Sequence, residues 1–228
     1  MNFIYHHLGL GDHIICNGLV RKIINENEEF SLFSKRENAD SVRFMYRDLK
    51  NLQVHEVIDD AKASWVLAES KPEKTILIGH SAVYDIIRKY NCNWDHAFYI
   101  QMEIPFSERW NAFHVERDLE GEVNLYNELN PDDSEYTLIH SKDSQGVDRI
   151  NYKKIDDNLK KIFVEPKGHI FNYLTLIEKA KEIHCIDSSF KHLVESVDTK
   201  SVLYYHKNFK ARIDNPIPHT SNKNWILI

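Results

Sequence analysis

The chain has 228 residues, of which 42% are hydrophobic and 28% are charged. Its eleven tyrosines, eleven phenylalanines and four tryptophans provide enough apolar material for a packed core, which excludes a disordered chain. The net charge is −6, so no overall positive field would attract a nucleic acid or an anionic membrane. We therefore expect a soluble globular protein without a nucleic-acid partner.

The three cysteines, Cys16, Cys92 and Cys185, are far apart and form no CxxC pair. Their odd number and spacing favour reduced thiols that fill the core over a disulfide framework. The first residues contain no basic segment followed by a long apolar run, and no stretch of about 18 apolar residues occurs anywhere. We therefore predict a cytoplasmic protein with neither a signal peptide nor a transmembrane segment.

Short β-rich runs alternate with amphipathic stretches in the first half of the chain. The pattern predicts strands at 2–7, 30–35, 52–58 and 75–80, and helices at about 13–27, 37–49 and 81–90. This alternation is typical of βαβ units around a parallel sheet.

Residues 93–130 differ in composition from the first half, because aromatic and charged residues are mixed along them. They end at the strong turn signal NPDDS (130–134). We predict a helical connector there. The second half then repeats the earlier alternation, with strands at 136–142, 160–166, 182–187 and 201–206 and helices at about 170–181 and 188–197.

The sequence thus predicts an α/β fold with two small Rossmann-like lobes. The N-terminal lobe covers 1–112, the connector extends to about 134, and the C-terminal lobe covers 135–228. A single long sheet would leave the aromatic connector without an obvious place.

The turn Leu8–His13 follows the first predicted strand and opens the first helix. Gly9 and Gly11 would permit positive φ and close approach of a ligand, and the helix would offer N–H groups to an anion. The alternative is a tight turn in which Asp12 is the N-cap. A dinucleotide fingerprint is excluded, because Ile14 occupies the position of its third small residue.

A second motif lies where the strand 182–187 ends at Asp187. Ser188 and Ser189 open the following helix, and His192 lies one turn further on. Hydroxyl groups and backbone N–H groups would converge there on a phosphate. A plain N-cap serine explains the same residues equally well.

A third polar stretch, His140–Gly146, directly follows the strand 136–142. Its basic and hydroxyl-rich character suits a diphosphate, and His140 and Lys142 are the candidate ligands. Loops are also polar for solubility alone, so this signal is open to both interpretations.

The sequence Gly79-His80-Ser81-Ala82-Val83 is similar to the GxSxG nucleophile elbow of α/β-hydrolases. Ser81 would be the nucleophile, with Asp187 and either His206 or His219 completing a triad. Val83 replaces the second glycine, which favours Ser81 as a helix cap, but the hydrolase stays an open alternative.

The thirteen histidines show no metal-binding spacing such as HExxH. His6 and His7 are adjacent, so on a strand they would point to opposite faces. We therefore expect no metal site.

Two of these motifs together resemble those of GT-B glycosyltransferases, particularly the heptosyltransferase-like group of family 9. GLGDHIICNGLVR near the start corresponds to a first-strand loop with a Gly-Asp pair, and IHCIDSSFKHLVESV near the end to a late Asp-Ser-(Gly/Ser)-x-x-His loop. The connector FYIQMEIPFSERWNAFHVERDLEGE is similar to an aromatic, arginine-containing segment of those proteins.

The resemblance implies two Rossmann-like lobes that face a cleft. The C-terminal lobe would bind a nucleotide-sugar donor, and the N-terminal lobe a glycan or lipid-linked acceptor. Asp12 would be the general base, with His13 beside it as the second catalytic candidate. Gly9 and Gly11 would shape the loop and leave room for the donor phosphates.

On the donor side, the resemblance implies that Asp187, Ser188, Ser189 and His192 hold the diphosphate, with His140 and Lys142 at the neighbouring strand end. Transfer would be inverting and metal-independent, with no cofactor, and would serve the biosynthesis of cell-surface glycans. The alternative within the same fold is a module that binds a nucleotide or a glycan without turnover.

Overall fold

Parallel β-strands form two separate sheets in a computed structural model that describes residues 1–165, 168–207 and 220–228. The chain divides into two units, one formed by residues 1–116 together with Thr220, and the other by the described residues from 117 to 207 and from 221 to 228. Each unit contains one of the sheets.

The first sheet consists of β1 (Asn2–Tyr5), β2 (Phe30–Lys35), β3 (Leu52–Val57) and β4 (Lys74–Leu77), in the order β3-β2-β1-β4. All four residues of β1 are buried, so both faces of the sheet are covered at its centre. The neighbouring β2 is buried over its first five residues as well, including Ser31 and Ser34, as expected for a parallel strand covered on both faces.

Helices of the first unit connect these strands and follow the last one. They are α1 (Leu10–Ile15), α2 (Asn17–Ile23), α3 (Ala39–Met45), α4 (Asp60–Ser70), α5 (Ala82–Tyr90), α6 (Trp94–Gln101) and α7 (Glu108–Asn111). The single helix predicted over 13–27 is wrong, because the chain forms two short helices that meet at Cys16. In the first turn of α2, directly after the break, the helix packs closely on α7. A Cβ on Gly18 would lie 2.1 Å from the carbonyl oxygen of Glu108.

The aromatic connector folds in part around a buried ion pair. The guanidinium of Arg109 donates to the carboxylate of Asp95, and both side chains are almost fully buried. Thr220 completes this cluster: its N–H donates to Asp95 Oδ2 over 3.0 Å, and its carbonyl accepts from Arg109 over 2.9 Å. Asn93 Nδ2 also donates to Thr220 Oγ1, over 3.1 Å.

The second sheet consists of β5 (Tyr136–His140), β6 (Lys160–Phe163), β7 (Glu182–Cys185), β8 (Val202–Tyr205) and β9 (Trp225–Leu227), in the order β6-β5-β7-β8-β9. Its pairings are all parallel. The helices of this unit are α8 (Leu119–Leu129), α9 (Leu174–Lys179) and α10 (Ser189–Ser196). The two-sheet α/β architecture predicted from the alternation is therefore confirmed.

The eight predicted strands are all present, and most of them end one to three residues earlier than predicted. The end of the strand predicted at 160–166 falls partly outside the described residues, and β6 ends at Phe163. Helix α4 and strand β9 had no counterpart in the prediction. Cys16 and Cys185 are buried as expected, whereas Cys92 is half-buried.

Candidate functional site

The order of the first sheet reverses beside β1, because β2 lies on one side of it and β4 on the other. In an open parallel sheet, the crevice outside the carboxyl ends of two such strands is the place where ligands bind. The loops that follow β1 and β4 form this switch point. The predicted acidic turn lies in the first of these loops.

Gly9 is the N-cap of α1, with φ −70° and ψ 143°. Neither Gly9 nor Gly11 has a positive φ, so the expectation that these glycines supply a left-handed turn is wrong. Gly9 provides room instead, since a Cβ there would lie 2.7 Å from Oδ2 of Asp12. The Asp12 carboxylate therefore folds back over Gly9.

Asp12 itself lies in the first turn of α1 and is half-buried. The interpretation of Asp12 as the N-cap is wrong, because Gly9 occupies that position and the helix begins at Leu10. Helix α1 has only six residues, so its amino end is a weak anion site. The useful group in this turn is the carboxylate.

His13 is fully buried directly behind Asp12. Its ring packs edge-to-face on that of His6, with the centroids 4.4 Å apart. Burial lowers the pKa of His6 to about 4 and holds the pKa of His13 well below its usual value, so both rings are neutral at pH 7. The imidazole of His13 is packed against His6 in the core and has no surface that a substrate could contact.

His7 and His80 meet across the switch point. Their rings stack with centroids 4.9 Å apart, and the backbone N–H of His80 donates to Nε2 of the His7 ring over 3.2 Å. His80 and Gly79 both have left-handed backbones, with φ values of 57° and 84°. Trp94 packs on the other side of His7, at 5.1 Å. Sequence reasoning missed this aromatic surface, although the glycine after β4 marked the turn.

Ser81 lacks the features of a hydrolase nucleophile. Its φ of −65° and ψ of −32° are ordinary helical values, whereas a nucleophile elbow is strained at the serine. Ser81 precedes α5 but makes no capping hydrogen bond through its side chain. Asp187 and His206 belong to the other unit, and His219 lies outside the described residues.

The second sheet has its own switch point, between β5 and β7, because β6 lies on one side of β5 and β7 on the other. The predicted His140 is the last residue of β5, and the loop after it contains the predicted Lys142. The loop after β7 contains the predicted Asp187 and the serines. The structure brings the end of β5 against the start of α10, since the His140 ring stacks on Phe190 in the first turn of that helix, with centroids 5.4 Å apart and planes 8° apart.

The amino end of α10 is built as the sequence predicts. Ser188 is its N-cap, and the Oγ atom accepts from the N–H of Lys191 over 3.3 Å. Ser189 is half-buried in the first helical position, and His192 is 3% exposed one turn later. Burial raises the pKa of Asp187, and the neighbouring charge of Lys191 opposes that rise.

Sequence reasoning missed a buried ion pair on the same helix. Nζ of Lys191 donates to Oε1 of Glu195 over 2.7 Å, and both side chains are almost completely buried. The ammonium group lies 5.5 Å from the ring of Trp225 in β9 and 5.6 Å from that of Tyr205 in β8. The i, i+4 spacing was the available signal, but this spacing is usually found on exposed faces.

The loop after β5 is a small hairpin. Lys142 and Asp148 form an isolated antiparallel bridge, and the Arg149 N–H donates to the Ser141 carbonyl over 2.9 Å. The Ser141 hydroxyl donates to Asp148 Oδ2 over 3.3 Å. The side chain of Lys142 is exposed, whereas burial lowers the pKa of the neighbouring His140 to about 4. The cation available to a ligand here is therefore Lys142.

Within residues 1–165, 168–207 and 220–228, no group of three or more His, Cys, Asp or Glu side chains is arranged to hold a metal ion. Over the same residues, none of the helices is both long and apolar enough to span a bilayer.

The whole chain is similar in structure to two glycosyltransferases. One is a glycosyl transferase of family 9 from Veillonella parvula, with a TM-score of 0.56 and 10% identity over all of this chain and 86% of the other. The second is the ADP-heptose LPS heptosyltransferase II of E. coli, with a TM-score of 0.55 and 9% identity over all of this chain and 90% of the other. No protein-family model and no curated protein matches the sequence.

The fold is therefore that of the GT-B glycosyltransferases, as the sequence motifs predicted. The first unit contains the predicted catalytic residues Asp12 and His13 and the two glycines, Gly9 and Gly11, that were predicted to leave room for the donor phosphates. The second unit contains the predicted donor-side residues, which are His140, Lys142, Asp187, Ser188, Ser189 and His192.

Proposed function

We propose that this protein is a glycosyltransferase that moves a sugar from a nucleoside diphosphate sugar to an acceptor hydroxyl. The observation that carries the proposal is the similarity of the complete chain to two glycosyltransferases. The positions of the predicted motifs support it, because each lies at the switch point of its own sheet, where such sheets bind ligands.

The donor diphosphate would bind at the switch point of the second sheet. The first turn of α10 presents the backbone N–H groups of Ser189 and Phe190 and the hydroxyl of Ser189. Lys142 supplies an exposed cation from the neighbouring loop. Helix N–H groups and an ammonium group stabilise the charge that develops on a departing diphosphate.

Asp12 would act on the acceptor. Its carboxylate takes the proton of the acceptor hydroxyl while the hydroxyl oxygen bonds to the anomeric carbon of the donor. The bond from that carbon to the diphosphate oxygen breaks, and the nucleoside diphosphate leaves with the electron pair. A single displacement of this kind inverts the anomeric centre. The reaction needs no metal, because protein groups supply the positive charge.

We infer a cytoplasmic location and a role in assembling cell-surface glycans, with a glycan or lipid-linked acceptor. The family 9 fold is the support for this inference. The ADP-sugar named for the E. coli protein makes ADP the first nucleotide to test.

The test begins with binding of ADP, UDP, GDP and CDP and their hexose conjugates, followed by thermal unfolding. A ligand at 100 times its Kd adds about 2.7 kcal/mol, which raises the Tm of a chain of this size by about 5–10 °C. The variant Lys142→Ala should lose most of that shift, because the cation is removed. If no compound in the panel raises the Tm, the donor site does not exist.

Turnover is then measured as release of the nucleoside diphosphate from the donor, with water or added glycans as acceptor. Asp12→Asn removes the base at nearly constant volume, so it should bind the donor normally and release nucleotide about 100-fold more slowly or worse. Binding without turnover in the unmodified protein would favour the non-catalytic module. Equal rates for the two proteins would rule out Asp12 as the base.

A further inference from the structure

Two buried histidines of the second unit take no part in the proposed reaction. His184 in β7 and His206 at the end of β8 are 0% and 1% exposed. Nδ1 of His184 lies 2.9 Å from Nε2 of His206. Two imidazoles that share one hydrogen bond inside a protein must both be neutral or carry a single added proton, because two like charges at this distance repel strongly.

The backbone fixes where the protons lie. The N–H of Asn151 donates to Nδ1 of His206 over 3.0 Å, so that nitrogen is unprotonated. In the neutral ring the proton is then on Nε2, from which it is donated to Nδ1 of His184. The proton of His184 is therefore on its own Nε2, which lies 3.5 Å from Oε2 of Glu182. The two hydrogen bonds run in one direction, from Asn151 through His206 to His184.

Asn151 belongs to the return leg of the hairpin after β5. Local bonds tie this leg to the outgoing strand, among them those from the Arg149 N–H to the Ser141 carbonyl and from the Ser141 hydroxyl to Asp148 Oδ2. The bond from Asn151 to His206 ties it to the end of β8 two residues later. The Oδ1 atom of Asn151 then accepts from the Lys153 N–H and starts a short 3-10 helix. Nδ1 of His206 is thus the acceptor that ties the far end of this loop to the segment directly after β8.

We propose that His206, oriented by His184, is a positioning residue that anchors the loop after β5 and so places Lys142 for the donor diphosphate. This inference rests on the proposed function for its effect on donor binding. The anchor itself follows from the hydrogen bonds among Asn151, His206 and His184. A protonated His206 would direct an N–H at the Asn151 N–H, so only the neutral pair can hold the loop.

Other groups face this pair from each neighbouring segment. Tyr204 of β8 stacks on His184 with centroids 4.4 Å apart, and Glu182 lies on the same strand as His184. The charge of Asp148 in the hairpin acts on His206 and favours its protonation, but burial outweighs it and lowers the pKa of His206 to about 4. Burial raises the pKa of Glu182, and the negative charge of Asp156 raises it further. The pair therefore stays neutral at pH 7.

The first measurement is a long-range proton–nitrogen NMR spectrum of the full chain at pH 7. Both histidines should show a protonated Nε2 and a bare Nδ1. In His206→Phe the amide of Asn151 should exchange at least about tenfold faster, because its acceptor is gone. In His206→Gln the carboxamide supplies both an acceptor and a donor, and the protection should be largely retained. A protonated Nδ1 on His206, or unchanged exchange in His206→Phe, overturns the anchor.

The second measurement is the Kd of ADP, UDP, GDP and CDP by calorimetry. For any nucleotide that binds, His206→Phe should weaken binding by about tenfold, and His206→Gln by much less. Because His206 acts through the loop, Lys142→Ala and the double variant Lys142→Ala/His206→Phe should bind equally weakly. Additive losses, or normal binding by His206→Phe, refute the positioning role. If no nucleotide binds the unmodified chain, the proposed function fails, and the exchange experiment still decides the anchor.

Discussion

Replacement of Gly9 by alanine tests the role of the Asp12 turn without removing any functional group. The added Cβ would lie 2.7 Å from Asp12 Oδ2, whereas ordinary contacts begin at 3.4 Å, so the carboxylate must move by about 0.7 Å. The φ and ψ of Gly9 suit alanine, and the loss at an N-cap position is about 1 kcal/mol or less. The fold should survive while the base is displaced.

A displacement of 1 Å at a reacting group costs up to about 100-fold in rate, so we expect Gly9→Ala to lower kcat by about tenfold or more. The assay is release of nucleoside diphosphate from the donor, with Tm as the control for folding. In an Asp12→Ala background, where no carboxylate remains to be displaced, Gly9→Ala should cause no further loss. An unchanged kcat, or an equal further loss in that background, would refute the reasoning.

Three further predictions concern stability. Gly18→Ala places a Cβ 2.1 Å from the Glu108 carbonyl oxygen, so α2 and α7 must separate, at a cost of about 1–3 kcal/mol that should appear as a lower Tm. Arg109→Met leaves the Asp95 carboxylate buried without its cation and should cost about 3–5 kcal/mol in urea unfolding. Burial lowers the pKa of His6 from 6.5 to about 4, so protonation of this ring favours the unfolded chain. The free energy of unfolding should therefore include about 3 kcal/mol that is fully present above pH 6.5 and is lost as the pH falls toward 4.

Each of these predictions has a matched control. Gly146→Ala adds a Cβ where no atom lies within 4 Å, so only its left-handed backbone is strained, and it should cost less than the Gly18 variant. The double variant Arg109→Met/Asp95→Leu should recover part of the lost stability, since no isolated charge remains. His6→Phe should lose less stability than the unmodified chain between pH 7.5 and 4.5. An equal loss in both proteins would contradict the assignment to His6.

The alternation of strands and helices was predictable because hydrophobic periodicity follows burial directly. The elements that escaped prediction have weak patterns. In α4 only Ala63 is fully buried and Trp65 is largely exposed, so its amphipathic signal is faint. Strand β9 has three residues, of which Ile226 and Leu227 are exposed. The break at Cys16 depends on how α2 packs on α7, which is a tertiary effect that no local pattern contains.

The candidate site was predictable where a motif combines a strand end with helix-capping chemistry, as at Ser188, which is the N-cap of α10. It was not predictable where a charge is buried against distant residues. Lys191 and Glu195 have the spacing of an exposed pair, and their burial depends on the rings of Tyr205 and Trp225. The role of Gly9 was not predictable either, because a glycine in the sequence does not reveal whether it is needed for a positive φ or for a close contact. Here the contact is with the Asp12 carboxylate.

The cluster around Thr220 has a consequence for how the protein is made. During synthesis the continuous part of the first unit ends at Glu116, but Asp95 and Arg109 lack their backbone hydrogen bonds to Thr220 until residue 220 has been added. At ordinary translation speeds the intervening residues take about 5–20 s. For that time the buried Asp95–Arg109 pair lacks these two hydrogen bonds, and we expect the last cooperative folding step of this unit to await the synthesis of residue 220.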